Sequence, residues 1–439
     1  MRCCDWSEVT ACVPPAEQAF FPLDEELELL PGTLTPNLQE DLVHLGTWMP
    51  FGRAVKELQH FRGVDVSRPT AERSTEAAGA AYVAWQTAEM ERLEKELPPP
   101  PAGPERQFLS VDGAMVPLVG GNWAEVKTLA LGEVLPPVEI KGERVIRTDK
   151  LSYFSRLTDS DTFQRSALVE TQRRGVETAG RVGAVTDGSD WCQGFIDFHR
   201  PAAVRILDFP HAGDHLSTVG QDIFGEGSVQ AQNWLAEQMH HLKHAGPASV
   251  LAEVRQLATT HPDQSDLGKE LAYLEKRSAL MEYPKFQDAG WPIGDGAVES
   301  ANKLVVEARL KGSGMHWASD HVNPMLALRN IACNDRWNEA WPQIVSILRQ
   351  QEQQQRAKRR QQRQALAIQP SAIPAQAAVP VSVGEKASSE IQPPPSRSKP
   401  RQQTAPDEPR RPAANHPWRR MPVGRARFEP TTKQPDAKP

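Results

Sequence analysis

The hydrophobic pattern of this chain changes period partway along, and that change limits the folds open to it. Residues 106–208 hold short runs with strand-like alternation: "RQFLSVDGAMVPL", "WAEVKTLALGEV" and the weaker "LSYFSRLT" come one after another. A helical stretch, "SDTFQRSALVETQRRG", follows, and then two more strand-like runs, "RVGAVTDG" and "AAVRILDFPHAGDHL". Three adjacent strands, a helix and two further strands make an α/β order with crossover connections. Residues 214–288 then turn wholly helical, in "AQNWLAEQMHHLKHA", "ASVLAEVRQLATT" and "LGKELAYLEKRSALMEY". The block "GDGAVESANKLVVEARLKGSG" reads as one more helix. Asp295 stands where an N-cap belongs, Val298, Leu304, Val305 and Leu310 recur near helical spacing, and Gly312 suits the left-handed position after the last turn.

At 439 residues the chain can bury two or three cores. No apolar run approaches the length needed to cross a bilayer, and "MRCCDWSEVTACVPP" lacks the order of a secretory signal, so we expect a cytoplasmic protein with no membrane partner. Five cysteines, three of them at Cys3, Cys4 and Cys12, do not make a disulfide framework. The net charge of -6 hides an asymmetry: from Arg356 onward the sequence carries a charge of roughly +10. That stretch is rich in proline and poor in aromatic residues, so residues 351–439 are expected to form a basic disordered tail able to contact phosphates.

Residues 1–97 read as a mostly helical N-terminal region, closed by the proline run at 98–104, which we take as a linker. Within it, Ala54, Val55, Leu58 and Phe61 line one helical face, Gly63 breaks the helix and Ser67 can cap the next. A helix-turn-helix reads this way, with Arg68, Thr70 and Arg73 as the candidate DNA readers; an ordinary helical hairpin fits the pattern equally. The remaining divisions fall at 105–213, 214–290 and 291–350.

Two aspartates stand at the ends of apolar runs, each followed by glycine: Asp112 and Asp187. Glu299 sits early in the later helix. Ligands in open α/β sheets bind outside the carboxyl ends of strands, so the three could share a crevice. There they would repel one another unless cations were bound, and oxygen-only ligation suits Mg²⁺ or Mn²⁺. A pair of such ions stabilises both the attacking and the leaving oxygen of a phosphodiester displacement. Lys303, Arg309 and Lys311 supply positive charge near the last acid for DNA phosphates. Trp291 and Trp317 bracket the block, as base-stacking platforms or, the commoner role, as core residues.

This order of strands and acids resembles the ribonuclease H-like core of DDE transposases. "FFPLDEELELLPG", "LSVDGAMVPL", "ILDFPHAGDHL" and "GDGAVESANKLVVEARLKGSGMHW" are similar to stretches of the Kra-type insertion-sequence transposases, relatives of the Mutator-like group. The resemblance implies an α/β fold: a ribonuclease H-like core with a helical insertion, after a helical DNA-binding region and before the tail. It implies a bacterial, nucleoid-associated enzyme that binds the ends of its own element and uses two Mg²⁺ or Mn²⁺ ions for strand cleavage and strand transfer. A homo-oligomer on the DNA is also implied. By carry-over Asp112 and Glu299 are the first and last catalytic acids and metal ligands. For the middle acid Asp187 is preferred and Asp208 is the alternative, because "DFPH" matches an aspartate-x-x-histidine element of related groups, with His211 beside the site. Departures are the Asp295 within "GDG", where relatives carry serine, and the unpaired spacing of Cys3, Cys4 and Cys12, where relatives carry a cysteine-rich segment. They leave two other readings open, a truncated noncatalytic DNA-binding remnant and a general ribonuclease H-like nuclease.

Overall fold

The structure is a computed structural model that describes residues 34–140 and 143–368. Contacts divide the chain into Met1–Pro370 and Ser371–Pro439, and all described residues belong to the first unit. The three N-terminal cysteines, "FFPLDEELELLPG" and most of the basic tail lie outside them.

Three helices come first: α1 (Pro36–Trp48), α2 (Phe51–Arg62) and α3 (Arg68–Glu96). The break between α2 and α3 falls where the sequence predicts it. Gly63 takes a left-handed φ of 67°, and the Ser67 hydroxyl accepts the Thr70 N–H at 3.2 Å. Ala54 and Leu58 are buried, but Phe61 is 71% exposed and does not share their packing.

The sheet is mixed. Strands β1 (Arg106–Pro117), β2 (Trp123–Val134) and β5 (Thr148–Arg156) pair antiparallel, with a small hairpin of β3 (Val138–Ile140) and β4 (Glu143–Val145) inserted before β5. After the short helices α4 (Ser160–Ser166) and α5 (Leu168–Arg173), β6 (Arg181–Thr186) returns parallel to β1. Helix α6 (Asp190–His199) crosses over to β7 (Val204–Leu207), parallel to β6. The spatial order is β5-β2-β1-β6-β7. On one face Leu109, Val111, Leu129 and Ala184 pack with Phe163, Phe195 and Ile196 of α4 and α6.

The other face of the sheet meets two groups of helices. One is the insertion: α7 (Phe209–Phe224), α8 (Val229–Ala245), α9 (Pro247–Thr260), α10 (Ser265–Lys276) and α11 (Tyr283–Asp288), whose core includes Phe108, Ile206, Leu216 and Trp291. The second begins with α12 (Gly296–Ala301), passes through a π-helical segment (Asn302–Glu307) into α13 (Ala308–Leu310), and packs with Ala114, Val126 and Leu42. Gly314, not Gly312, carries the positive φ that ends this block.

Helix α14 (Ser319–Cys333) runs beside β5 and closes the free edge of the sheet with asparagines. Asn323 and Asn330, with Asn334 just past the helix, each accept an N–H and donate to a C=O, at Leu157, Ser155 and Tyr153 respectively, over 2.8–3.1 Å. An unpaired strand edge invites association with other chains, and side-chain amides here stand in for the missing strand.

Two of the expected boundaries do not hold. Helix α3 lies along α14 and α15 (Trp337–Ile368), so the N-terminal helices pack into the core. The proline run is seated on it too: Gly103 N–H donates to the Thr178 hydroxyl at 2.9 Å, and Gly180 N–H to the Pro104 carbonyl at 3.0 Å. Helix α15 continues through Gln351 to Ile368, where disorder was expected to have begun, because "RQQEQQQRAKRRQQRQALAI" is made of strong helix formers. Among the described residues no helix is long and apolar enough to cross a membrane.

Candidate functional site

Two parallel ladders fix the placement of three aspartates. Leu109 faces Ala184, and Ala184 faces Arg205. Three residues further along each strand, Asp112, Asp187 and Asp208 therefore fall in one row. Leu109 points into the core beneath α6, so by strand alternation Asp112 belongs to the opposite face, toward α12, whereas the side chain of Asp187, past the end of its strand, meets Ser189 and Cys192 at the start of α6. Asp187 and Asp208 lie just past their strands, as expected. Asp112 does not, because β1 runs on to Pro117 and Asp112 sits in its middle, opposite Thr128 of β2.

Asp112 Oδ2 accepts from Asn302 Nδ2 at 2.8 Å. Burial pushes its carboxyl up to about 6, and the negative charges of Asp187 and Glu125 add to the rise. Hydrogen bonds from the Gly113 N–H and Asn302 oppose it. Asp187 turns one oxygen to the Ser189 N–H at 2.9 Å, while its backbone carbonyl accepts from the Tyr273 hydroxyl on α10. Asp208 is committed to the backbone. Its Oδ2 accepts the His211 N–H, its Oδ1 accepts the Asp295 N–H, each at 2.8 Å, and it is 4% exposed. It thus caps α7 and pins the start of the block that carries Glu299.

Asp295 occupies the N-cap position without capping by its side chain. Burial, then the charges of Asp208, Asp112 and Glu299, push its carboxyl up to about 8, with a hydrogen bond to Asp208. Asp208, Asp112 and Glu299 all act on it, and one proton held there relieves their repulsion. Glu299 follows one turn later with its side chain 62% exposed and ion-paired to Lys303 at 2.5 Å. Among the described residues, Asp112, Asp187 and Glu299 are not drawn within 4.8 Å of one another; the group that meets that separation is Glu72, Glu76 and His321.

The donor set around Asp112 nevertheless suits a hard divalent cation. It is all oxygen, and Asn302 Oδ1 is a buried acceptor with no partner beside it. Sequence reasoning missed Asn302. Its place three residues after Glu299 is a local signal, since i and i+3 share a helix face. Reading the helix as purely α also hid the widened turn that starts at Asn302; such π segments are frequent at functional sites. Tyr273 could not have been found, because it comes from the insertion, far along the chain.

Other expected contacts divide sharply. Arg68 and Arg73 are exposed at the start of α3, and the half-buried Thr70 hydroxyl bonds the Ser67 hydroxyl at 2.9 Å. Lys303 and Lys311 lie on the outer face, paired with Glu299 and Glu307. Arg309 is a correction to the phosphate-binding expectation: it is 2% exposed, its guanidinium lies 4.8 Å from the Phe51 ring and 5.1 Å from that of Trp317, and its Nε donates to the Gly46 carbonyl. Two residues off the Lys303–Glu307–Lys311 stripe, it points inward. His211 reaches Asp208 through its backbone N–H, and its ring packs edge-on to His215 and Tyr273. Trp291 and Trp317 are buried core residues, and Arg106 and Arg181 lie over the Trp291 ring.

Comparison with protein-family models and with curated proteins finds no match for this chain.

Proposed function

We propose that this chain is an insertion-sequence transposase, a metal-dependent DNA strand transferase with a ribonuclease H-like core. One observation carries the reading: Asp112 and Asp187 stand at the same level of adjacent parallel strands, and the helix that bears Glu299 packs on the strand that carries Asp112. The mixed sheet β5-β2-β1-β6-β7, with only β2 antiparallel to the rest, is compatible with the α/β fold the resemblance implies. Asp112, Asp187 and Glu299 would hold two Mg²⁺ or Mn²⁺ ions, which when bound stabilise the attacking and leaving oxygens of a phosphodiester displacement. Asn302 fixes the rotamer of Asp112 by its hydrogen bond. Glu299 turns inward by leaving Lys303, and the freed ammonium, on the exposed face, is then available to a DNA phosphate. Arg68 and Arg73, exposed at the start of α3, are proposed to meet the element ends, with the homo-oligomer forming on DNA.

The Glu299–Lys303 pair also favours a second reading, a noncatalytic binder of element ends, and one experiment separates the two. Purified protein is incubated with Mn²⁺ and DNA carrying the inverted repeats that flank its gene. Strand cleavage is expected, with a loss of at least about 10³-fold for Asp187→Asn and end binding unchanged. Asp208→Asn should keep measurable cleavage while losing stability, about 1 kcal/mol, because an amide can accept only one of the two backbone N–H groups that the carboxylate holds. End binding with no cleavage by the unmutated protein would leave the noncatalytic reading, and cleavage insensitive to Asp187→Asn would remove the assignment.

A further inference from the structure

Outside the acid row, a second cluster of ligand-type side chains lies where the N-terminal helices meet the end of the core. Glu72 and Glu76 are one turn apart on α3, so their carboxylates share a face. His321, in the first turn of α14, stands opposite, with its Nδ1 2.7 Å from Glu76 Oε1. One atom of each residue lies within 4.8 Å of the other two. Glu72 makes no hydrogen bond or ion pair with a described residue. Burial raises the carboxyl of Glu76, His321 opposes the rise by its charge and hydrogen bond, and the neighbouring Glu72 adds to it, so the two glutamates share a partly desolvated gap. With a neutral imidazole the three residues carry two negative charges, which a divalent ion would balance; Arg68 and Arg309 line the same cleft.

We infer that Glu72, Glu76 and His321 bind a divalent cation of the zinc, cobalt and nickel class. The nitrogen donor decides the class: imidazole with carboxylates suits Zn²⁺, Co²⁺ or Ni²⁺, whereas Mg²⁺ takes oxygen alone. Bonds of about 2.0–2.2 Å place neighbouring ligand atoms of one ion about 3–3.5 Å apart, so small side-chain rotations close the present spacing. To ligate, the His321 nitrogen gives up its hydrogen bond to Glu76. The three residues line a cleft of roughly 520 Å³, together with His316, which leaves the ion's remaining positions open to solvent. Such an ion would join α3 to α14, and so fasten the helix that carries Arg68 and Arg73 to the helix that seals the sheet edge. The site shares no residue with the acid row and does not depend on the transposase reading.

The test uses the full chain, stripped with chelator, desalted and titrated with ZnCl₂ by calorimetry and with CoCl₂ by visible absorption. The unmutated protein is expected to take up one more equivalent of Zn²⁺ than His321→Ala, and to show a cobalt band that His321→Ala lacks. Glu72→Gln, at a position with no bond to lose, should fold normally and bind at least about tenfold more weakly. Made on top of Asp112→Asn, His321→Ala should still remove one equivalent of Zn²⁺ and the cobalt band, which separates this site from the acid row. Equal uptake by the unmutated, His321→Ala and Glu72→Gln proteins would overturn the site, and so would loss of the band in Asp112→Asn alone.

Discussion

At the scale of single residues, the site is governed by how much negative charge one buried corner can hold. Asp112 is held near 6 and Asp295 near 8 in the folded chain, both by burial first and then by their acidic neighbours, against an ordinary value of 3.8. Between about pH 4 and 8 the folded chain therefore keeps protons that the unfolded chain has released. It follows that stability in chelator falls as pH rises through that window and levels off above about 8. Asp295→Asn, which cannot ionise, should flatten the fall. Thermal midpoints measured in EDTA from pH 5 to 8.5 should drop by several degrees for the unmutated chain and by much less for the variant; a midpoint that rises with pH would contradict this account. The sequence showed Asp112, Asp187 and Glu299 as acids at element ends, but Asp295 looked like a cap. Its charge state is set by burial and then by Asp208 and Asp112, which lie far from it along the chain.

At the scale of elements, α14 replaces a strand. Its asparagines stand at 323 and 330, with a third at 334 just beyond, spacings that repeat along one helix face, and they meet alternate residues at the end of β5 and just past it, Tyr153, Ser155 and Leu157. Asn330 is the buried member. Asn330→Ala would leave the Ser155 N–H and C=O without partners inside the protein, so we expect a loss of about 2–4 kcal/mol in urea unfolding. A loss below about 0.5 kcal/mol would mean that the edge is satisfied some other way. The periodicity of α14 was legible; its pairing with an edge strand was not, because amide side chains on a helix carry no mark of what they will bond. The π turn at Asn302 was hidden for a related reason. A single widened turn changes which side chains face inward, and the apolar spacing of Val305, Val306 and Leu310 fits either geometry loosely.

At the scale of the whole molecule, the N-terminal helices and the core are one body. Gly79 marks the closest approach: a Cβ there would sit 2.2 Å from the Pro324 carbonyl oxygen, backbone against backbone. Gly79→Ala should force α3 away from α14 and cost about 1–3 kcal/mol, read as a lower urea midpoint with an unchanged slope. If the N-terminal helices were an independent domain, the change would split unfolding into two transitions, leaving that of the core where it is.

The sequence alone determined the order of the five sheet strands, the break at Gly63, the cap at Ser67, the all-helical insertion and the positions of Asp187 and Asp208 just past their strands; the small hairpin before β5 and the crossover helix α6 were not read from it. The features it determined rest on short-range physics: hydrophobic period, turn residues and capping groups within a few positions of one another. It also favoured Asp187 over Asp208 as the neighbour of Asp112, because a crossover brings the next strand alongside β1. Tertiary structure alone decided that Asp112 lies within its strand, that Arg309 is stacked in the core and that the proline run is no hinge. It also decided that Asp208 is held by the Asp295 N–H. Each of these depends on which distant segment fills the space beside a residue, and the packing of the whole chain settles that.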